Sequence, residues 1–334
     1  MRFGRPLAGI ALPLVVLSVA SCGSGSSSTS GSTSPPPTQS APAAASVKFP
    51  KASPKDFANL AHSIAQNSPI LAVTQSDLTP GVQRFGFGLF TKDQKQITNA
   101  PVALYIQAQG GKGKVLGPYV AHQESLQVTG PYLSETVQKD PDSAKSVYAA
   151  TVRFPKAGKY NVIGVVKQGG QLVPTGSGVK VSAHDPIPAV GDKPPMIDTP
   201  TVKSANGDIG SIDTRSPHDD MHDVNFRDVI GKKPVVLVFA TPLLCQSRVC
   251  GPVVDIEEDV KHTDPAAKDV AFIHMEVYNK NDANKGYRPQ LTAFHLQTEP
   301  WLFVFDKSGK ISTRIEGAFS KQELQAAIQK AVKQ

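Results

Sequence analysis

Residues 233–262 read KPVVLVFATPLLCQSRVCGPVVDIEEDVKH, and this stretch decides the fold of the C-terminal part of the chain. It opens with an unbroken apolar run, which is typical of a strand buried on both faces of a sheet. It closes with residues 252–262, which we interpret as a helix with Pro252 in its first turn, where proline is tolerated. Cys245 and Cys250 lie between the two. The stretch therefore predicts a buried strand, a cysteine-bearing junction and a helix in direct succession.

The sequence after this helix continues the same alternation. Ser320 is placed to cap a final amphipathic helix, with Glu323 at the capping-box position. Strand, helix, strand, helix, hairpin and helix in this order give a mixed sheet covered by helices. The predicted elements after residue 262 are a strand over 270–278, a short helix over 289–296, a hairpin of 301–306 and 311–316, and a helix over 321–333.

The spacing of the two cysteines limits where a disulfide can form. Five residues along a helix advance by about 7.5 Å and turn through about 500°, so sulfurs placed in this way point apart. Their Cα atoms would also lie beyond the roughly 7 Å limit for a disulfide. A bonded pair therefore requires Cys245 in the loop and Cys250 at or near the helix start. Thiols there lie beside the positive end of the helix dipole, which favours the thiolate, and we expect Arg248 to act in the same direction.

This arrangement resembles the thioredoxin fold over about residues 215–334. Residues 298–305 are similar to the segment in which thioredoxins place a cis-proline before a sheet strand, and we predict a cis bond before Pro300. Residues 306–310 match the thioredoxin hairpin turn, and 225–232 are similar to the lead-in of membrane-anchored thioredoxins and peroxiredoxins. The resemblance implies thiol–disulfide exchange with the thiols and disulfides of substrate proteins.

The resemblance also implies roles for individual residues. Cys245 would be the attacking thiol and Cys250 the resolving one, and Pro300 would pack against both and offer its backbone to a substrate strand. Thioredoxins space their cysteines by three residues, whereas this chain spaces them by five. Two alignments stay open as a result. Either Cys245 occupies the nucleophile position, or residues 250–252 match the familiar Cys-Gly-Pro.

Other interpretations compete with redox activity. A structural disulfide could join the two cysteines, in a binding lipoprotein without catalysis. Copper chaperones of thioredoxin fold use two cysteines and a distant histidine, and His262, His274 and His295 are available here. Residues 218–223 also hold metal donors, but we interpret them as a solvated acidic loop, and His274 as a packed strand residue. We therefore assign no metal ligand and no cofactor, while the copper-chaperone alternative stays open, and we expect Trp301 to pack near the cysteines.

The N-terminus carries targeting signals. Residues 1–21 have two arginines followed by an apolar run of signal-peptide length. They end in small residues before Cys22, which resembles a bacterial lipobox and implies lipidation of that cysteine. Residues 22–48 are dominated by Ser, Gly, Thr, Pro and Ala and predict a disordered tether. We therefore expect a lipid-anchored protein on the extracytoplasmic face of the cell membrane, where a Cys245–Cys250 disulfide would persist.

The region between tether and C-terminal part is predicted to be all-β. Residues 49–185 contain about seven strand-like runs separated by turns, after a short helix at 54–66, which favours a β-sandwich. The predicted strands are 70–74, 82–90, 102–108, 126–129, 147–154, 160–167 and 179–182. Tyr160 resembles the corner tyrosine of immunoglobulin-like domains, whose hydroxyl bonds back to the backbone upstream. Residues 186–214 are rich in Pro, Gly and Asp, and we interpret them as a linker with exposed backbone that runs into a docking segment, followed by the thioredoxin-like domain at 215–334.

Charge separates these two parts and excludes one class of partner. Residues 47–190 carry 15 lysines and arginines against 8 acidic residues, whereas 191–334 carry 18 against 20. The basic residues are scattered, without a run that includes aromatic side chains, so we predict no nucleic-acid binding. The predicted protein is thus multidomain, with an immunoglobulin-like sandwich followed by an α/β thioredoxin-like fold.

Overall fold

The computed structural model describes residues 46–111 and 113–334 of the chain. The predicted signal peptide, Cys22 and the tether up to residue 45 lie outside the described residues. All of the described residues belong to one compact unit. Within them, we find no helix that is both long enough and apolar enough to cross a membrane.

The N-terminal part is built from seven antiparallel strands in the order β1-β2-β5-β4-β3-β6-β7. Strand β4 changes partner along its length, since residues 116–121 pair with β3 and residues 122–125 pair with β5. Apolar side chains from both halves of the sheet form one core, which includes Phe85, Leu104 and Val162. The elements are α1 (Pro54–His62), β1 (Ile70–Val73), β2 (Gly81–Phe90), β3 (Val102–Ala108), β4 (Leu116–Ser125), α2 (Glu135–Gln138), β5 (Ser146–Phe154), β6 (Gly158–Gln168) and β7 (Gln171–Val181).

Most strands here lie where they were predicted, but β7 begins eight residues before the predicted 179–182, and one predicted strand does not form. The prediction of a strand at 126–129 was wrong. Residues 116–125 form β4 instead. This strand contains a proline and mostly polar or half-exposed side chains, so it lacks the apolar alternation by which strands are recognised. The Tyr160 hydroxyl donates a hydrogen bond to the Lys156 carbonyl oxygen at 2.8 Å, as expected for a tyrosine at this corner.

The C-terminal part is a four-stranded sheet in the order β11-β10-β8-β9, in which β8 and β9 are parallel. Apolar residues of α4 and α6 pack with one face of the sheet, and those of α3 and α5 with the other. The order of elements follows the prediction, including the capping box of Ser320 and Glu323. The elements are α3 (Phe226–Val229), β8 (Val235–Phe239), α4 (Cys250–Thr263), β9 (Ala271–Met275), α5 (Pro289–Ala293), β10 (Trp301–Phe305), β11 (Ile311–Glu316) and α6 (Lys321–Val332).

Irregular segments cover both edges of this sheet. Along β11, the Gly191 N–H donates to the Ile311 carbonyl, and the Ile311 N–H donates to the Asp192 carbonyl. Along β9, the His274 N–H donates to the carbonyl oxygen of Met221. Ile187 and Ile197 are buried in the same core as β8 and β10. Residues 186–214 thus pack onto the sheet, which differs from the exposed linker expected from their composition, while the domain limits themselves stay a prediction.

Polar contacts join the N-terminal strands to the C-terminal sheet. The Arg84 guanidinium pairs with the Glu323 carboxylate at 2.6 Å. The Glu316 carboxylate accepts hydrogen bonds from the backbone N–H groups of Ser76 and Asp77 at 2.9 and 3.1 Å. The two parts therefore hold each other through charged groups that are only partly exposed.

Candidate disulfide site and a buried Asp–His cluster

The two cysteines form a disulfide at the carboxyl end of β8. Cys245 lies in the loop after this strand, and Cys250 is the first residue of α4. Their Cα atoms are 5.9 Å apart. The backbone N–H of Cys250 donates to the Cys245 sulfur at 3.3 Å. The structure therefore confirms the predicted placement, with Cys245 in the loop and Cys250 at the helix start.

The electrostatic surroundings of the sulfurs differ from the expectation in one respect. Helix α4 runs 14 residues and directs the positive end of its dipole at the disulfide. Arg248, however, pairs with Asp140 of the N-terminal part at 3.0 Å. Its charge is thereby partly compensated, which reduces what Arg248 would contribute to a Cys245 thiolate, and that contribution stays a prediction. The helix dipole and the Cys250 N–H remain as the groups that would stabilise a thiolate on Cys245.

A loop from the N-terminal part covers the disulfide. Val137 of α2 packs so closely on Gly251 that a Cβ atom at this glycine would lie 2.8 Å from a valine methyl carbon. The Ala144 N–H donates to the Arg248 carbonyl at 3.0 Å. Cys245 is 6% exposed and Cys250 is 0% exposed. Cys245 is the more exposed of the two, but both cysteines are buried in this arrangement.

A buried ion pair anchors this covering loop. The Arg215 guanidinium pairs with Asp255 at 2.9 Å and with Glu258 at 2.8 Å. It also donates to the Tyr132 carbonyl oxygen at 2.9 Å. Burial raises the pKa of Glu258 to about 7, although Arg215 acts in the opposite direction. This buried ion pair was not predicted from the sequence. The acidic residues on the inner face of α4 were the sequence feature that could have indicated it.

Pro300 lies at the same end of the sheet as the cysteine loop. Strands β8 and β10 are antiparallel, with Trp301 opposite Phe239, so the start of β10 and the end of β8 meet at one edge. The Glu299–Pro300 bond is cis, as predicted, and the Pro300 carbonyl accepts the Gly317 N–H at 2.8 Å. Trp301 belongs to the core on the opposite face of the sheet from the cysteines. The prediction that its ring packs near them was therefore wrong.

A second group of chemically active side chains lies beside β9. Asp213, Asp219, His222 and His274 are all buried, and one donor atom from each lies within 4.8 Å of every other. The His274 Nδ1 is 2.7 Å from an Asp219 carboxylate oxygen, and its Nε2 is 3.2 Å from the Ala240 carbonyl oxygen. Residues 218–223 were predicted to be a solvated loop, and this was wrong for Asp219 and His222. The loop turns inward because Asp219 meets the histidine on β9.

Burial and mutual interaction shift the pKa values in this cluster. Burial opposes the charged form of His274, but the Asp219 carboxylate outweighs burial and raises the pKa of His274 to about 10. Burial lowers the pKa of His222 to about 4. Burial and the Asp219 charge raise the pKa of Asp213 to about 6. At neutral pH the cluster therefore holds a charged His274–Asp219 pair and a neutral His222.

Comparison with solved structures finds chains of similar structure. The chain is similar to a thiol:disulfide interchange protein of the thioredoxin family from Chlorobium tepidum TLS, with 19% identity and a TM-score of 0.30. The match covers 43% of this chain and 97% of that one. No protein-family model matches the sequence, and neither does any curated protein. A TM-score this low supports no conclusion about function, so the proposed function rests on the geometry of the site.

Proposed function

We propose that this protein is a membrane-tethered, extracytoplasmic protein that exchanges disulfides with the thiols of other proteins through Cys245 and Cys250. One observation carries the proposal. The disulfide lies at the first residue of a long helix, whose first N–H is donated to the Cys245 sulfur at 3.3 Å. Such a position lowers the pKa of a thiol, and the thiolate is the form that attacks a disulfide.

The exchange follows from this placement. In the reduced protein, the Cys245 thiolate attacks a substrate disulfide, forms a mixed disulfide and releases one substrate thiolate. The Cys250 thiolate then attacks the Cys245 sulfur, which restores the Cys245–Cys250 bond and releases the second substrate thiolate. The substrate gains two electrons and the protein loses two. Run in reverse, the same steps oxidise a dithiol substrate.

The proposal includes the finer description of the chain. The C-terminal sheet is a thioredoxin-like domain, and Pro300 at its edge borders the surface where a substrate strand would lie. The seven-stranded N-terminal part is an immunoglobulin-like sandwich, consistent with its strand order and the Tyr160 corner. Residues 1–21 are a signal peptide, and lipidation of Cys22 attaches the protein to the outer face of the cell membrane.

A structural disulfide is the second candidate, and one observation favours it. Both sulfurs are covered by the loop that carries α2, with Cys250 at 0% exposure. A bond that serves only to fix the cysteine loop would be buried in this way. In that case the chain would be a non-catalytic binding lipoprotein. The two candidates differ in whether the disulfide opens to a partner.

Trapping of mixed disulfides distinguishes them. Cys250→Ser should accumulate adducts through Cys245, because no resolving thiol remains, whereas Cys245→Ser should trap few. Mass spectrometry of the adducts identifies the bonded cysteine. Adducts on Cys250 alone would assign the nucleophile to the other cysteine. If neither variant traps a partner and both lose about 2–5 kcal/mol of stability, the disulfide is structural and the proposal fails.

A further inference from the structure

The Asp–His cluster has the donor set of a metal site. It offers two carboxylates, from Asp213 and Asp219, and two imidazoles, from His222 and His274, and all four residues are buried. Neutral imidazoles and two carboxylates together carry a charge of −2, which a divalent cation would balance. Tetrahedral coordination at about 2.1 Å would place the donor atoms roughly 3.4 Å apart. Donor atoms that are now up to 4.8 Å apart would move closer, and the 2.7 Å contact between His274 Nδ1 and Asp219 would widen.

One side chain is aimed into the cluster without a hydrogen-bond partner. The Nε2 atom of His222 has no hydrogen-bond partner, although the residue is only 2% exposed. It lies 3.4 Å from an oxygen of Asp219 and 3.9 Å from an oxygen of Asp213. A buried imidazole nitrogen without a partner is unfavourable. A cation between His222 and the two carboxylates would satisfy it.

His274 is oriented as metal-binding histidines are. Its Nε2 faces the Ala240 carbonyl at 3.2 Å, which only an N–H can satisfy, so Nε2 carries a proton. Its Nδ1 then faces Asp219 at 2.7 Å and holds either a proton or a metal ion. A ligand histidine commonly donates its other ring N–H to a backbone carbonyl in this way.

The backbone also orients the carboxylates. One Asp213 oxygen accepts the Arg215 N–H at 2.7 Å, and the other accepts the Asp219 N–H at 2.9 Å. One Asp219 oxygen accepts the Met221 N–H at 2.9 Å. These bonds hold each carboxylate in place, with one oxygen of each lying 3.4–3.9 Å from the His222 Nε2 atom. The arrangement resembles the outer hydrogen bonds that support metal ligands.

We propose that Asp213, Asp219, His222 and His274 bind one Zn²⁺ ion, independently of the cysteines. Two imidazoles and two carboxylates suit zinc better than magnesium or calcium, which prefer oxygen donors alone. Binding displaces the proton on Nδ1 of His274, which is released to solvent, and the ion takes its place between the ring and Asp219. The ion joins the loop before α3 to strand β9, next to the segment that leads from Ala240 to Cys245.

The test measures zinc on the full-length protein in its oxidised form. The Cys245–Cys250 bond is kept intact and free thiols are alkylated, so that no thiolate can bind metal. After treatment with a chelator, the protein is equilibrated with Zn²⁺ and the bound metal is counted by mass spectrometry. The expected result is one equivalent, with a Tm at least about 2 °C higher than that of the stripped protein.

Variants and spectroscopy decide whether the metal lies in this cluster. His222→Gln and Asp213→Asn should each weaken binding by at least about 10-fold. His262→Gln is the matched control, because it alters the separate group of Asp220, Glu258 and His262 and should leave binding unchanged. X-ray absorption of the zinc-loaded wild type should show only nitrogen and oxygen ligands near 2.0–2.1 Å.

Three results would overturn the proposal. The first is a wild-type protein that binds no zinc. The second is a folded His222→Gln variant that binds zinc as the wild type does. The third is a sulfur shell near 2.3 Å in the absorption spectrum. If a variant lacks a cooperative melt, the stoichiometry and ligand shell of the wild-type protein decide the question.

Discussion

At the scale of single residues, the structure holds several acidic groups in places that favour their neutral form. Asp77 is one, at the contact between the N-terminal strands and β11. Burial, together with the carboxylates of Asp185 and Glu316, raises the pKa of Asp77 to about 6 from 3.8. The folded protein therefore binds a proton here more tightly than the unfolded chain. Stability from this group is present below pH 4 and is lost as the pH rises to about 6.

Asp77→Asn tests the predicted direction of this pH dependence of stability. The amide cannot ionise, so the variant should melt higher than the wild type at pH 7, by about 1–3 °C after allowance for partial exposure. The difference should shrink towards zero at pH 4, where the wild-type carboxyl is largely protonated in the folded state. Thermal melts at both pH values measure it. Asp142→Asn, at an exposed carboxylate, is the control. An equal effect of Asp77→Asn at both pH values would contradict the assignment.

At the scale of elements, the sequence pattern predicted the C-terminal sheet more fully than the site on it. Long apolar runs identified β8 and β10, because each is buried on both faces. Cys245 and Cys250 were placed correctly, since disulfide geometry allows few positions for them. The buried pairing of His274 with Asp219 was missed, because the loop at 218–223 is polar in sequence and its burial depends on a partner 55 residues away.

Helix α2 packs over the start of α4, and we expect it to limit the access of reductants to the disulfide. Val137 covers Gly251 at the start of α4. Val137→Ser should weaken that contact by about 1 kcal/mol, which would raise the open population by about five-fold. Reduction of the disulfide by dithiothreitol, followed by thiol alkylation, should speed up by a similar factor. Lys139→Ala, at the exposed residue directly after the same helix, should leave the rate unchanged. Equal rates for Val137→Ser and wild type would mean that α2 does not limit access.

At the scale of the whole molecule, the two parts of the chain are joined by packing as well as by sequence. The segment between them, 186–214, was expected to be exposed because it is rich in Pro, Gly and Asp. Composition reports how readily a segment turns, but it does not report what the segment packs against. Here Ile187 and Ile197 enter the core of the C-terminal sheet.

Limited proteolysis should therefore spare this segment. The Lys203–Ser204 bond has an exposed lysine, but the backbone around it is held by turns, including an Ala205 N–H donated to the Thr201 carbonyl at 2.9 Å. Trypsin should not separate the two parts under conditions that leave the fold intact. Mass spectrometry of the digest would show this directly. Early cleavage at Lys203 would indicate that the segment detaches from the sheet in solution.

The proposed membrane attachment is tested on the full-length protein. Cys22→Ser should abolish lipidation and release the protein from membranes, because the anchor would be the acyl chains on that cysteine. Membrane fractionation of cells that express each form measures the distribution. The Cys245→Ser variant, which leaves Cys22 in place, is the matched control and should stay with the membrane. Full retention of Cys22→Ser would rule out the lipid anchor as the attachment.

The reduction potential of the Cys245–Cys250 couple tests the central claim most directly. Equilibration of the purified protein with dithiothreitol or glutathione buffers, followed by alkylation and mass spectrometry, gives the fraction oxidised at each potential. A disulfide that exchanges with substrates should have a potential well above about −300 mV, because the helix start stabilises the reduced thiolate form. A potential below about −300 mV would identify a structural bond and contradict the proposed exchange.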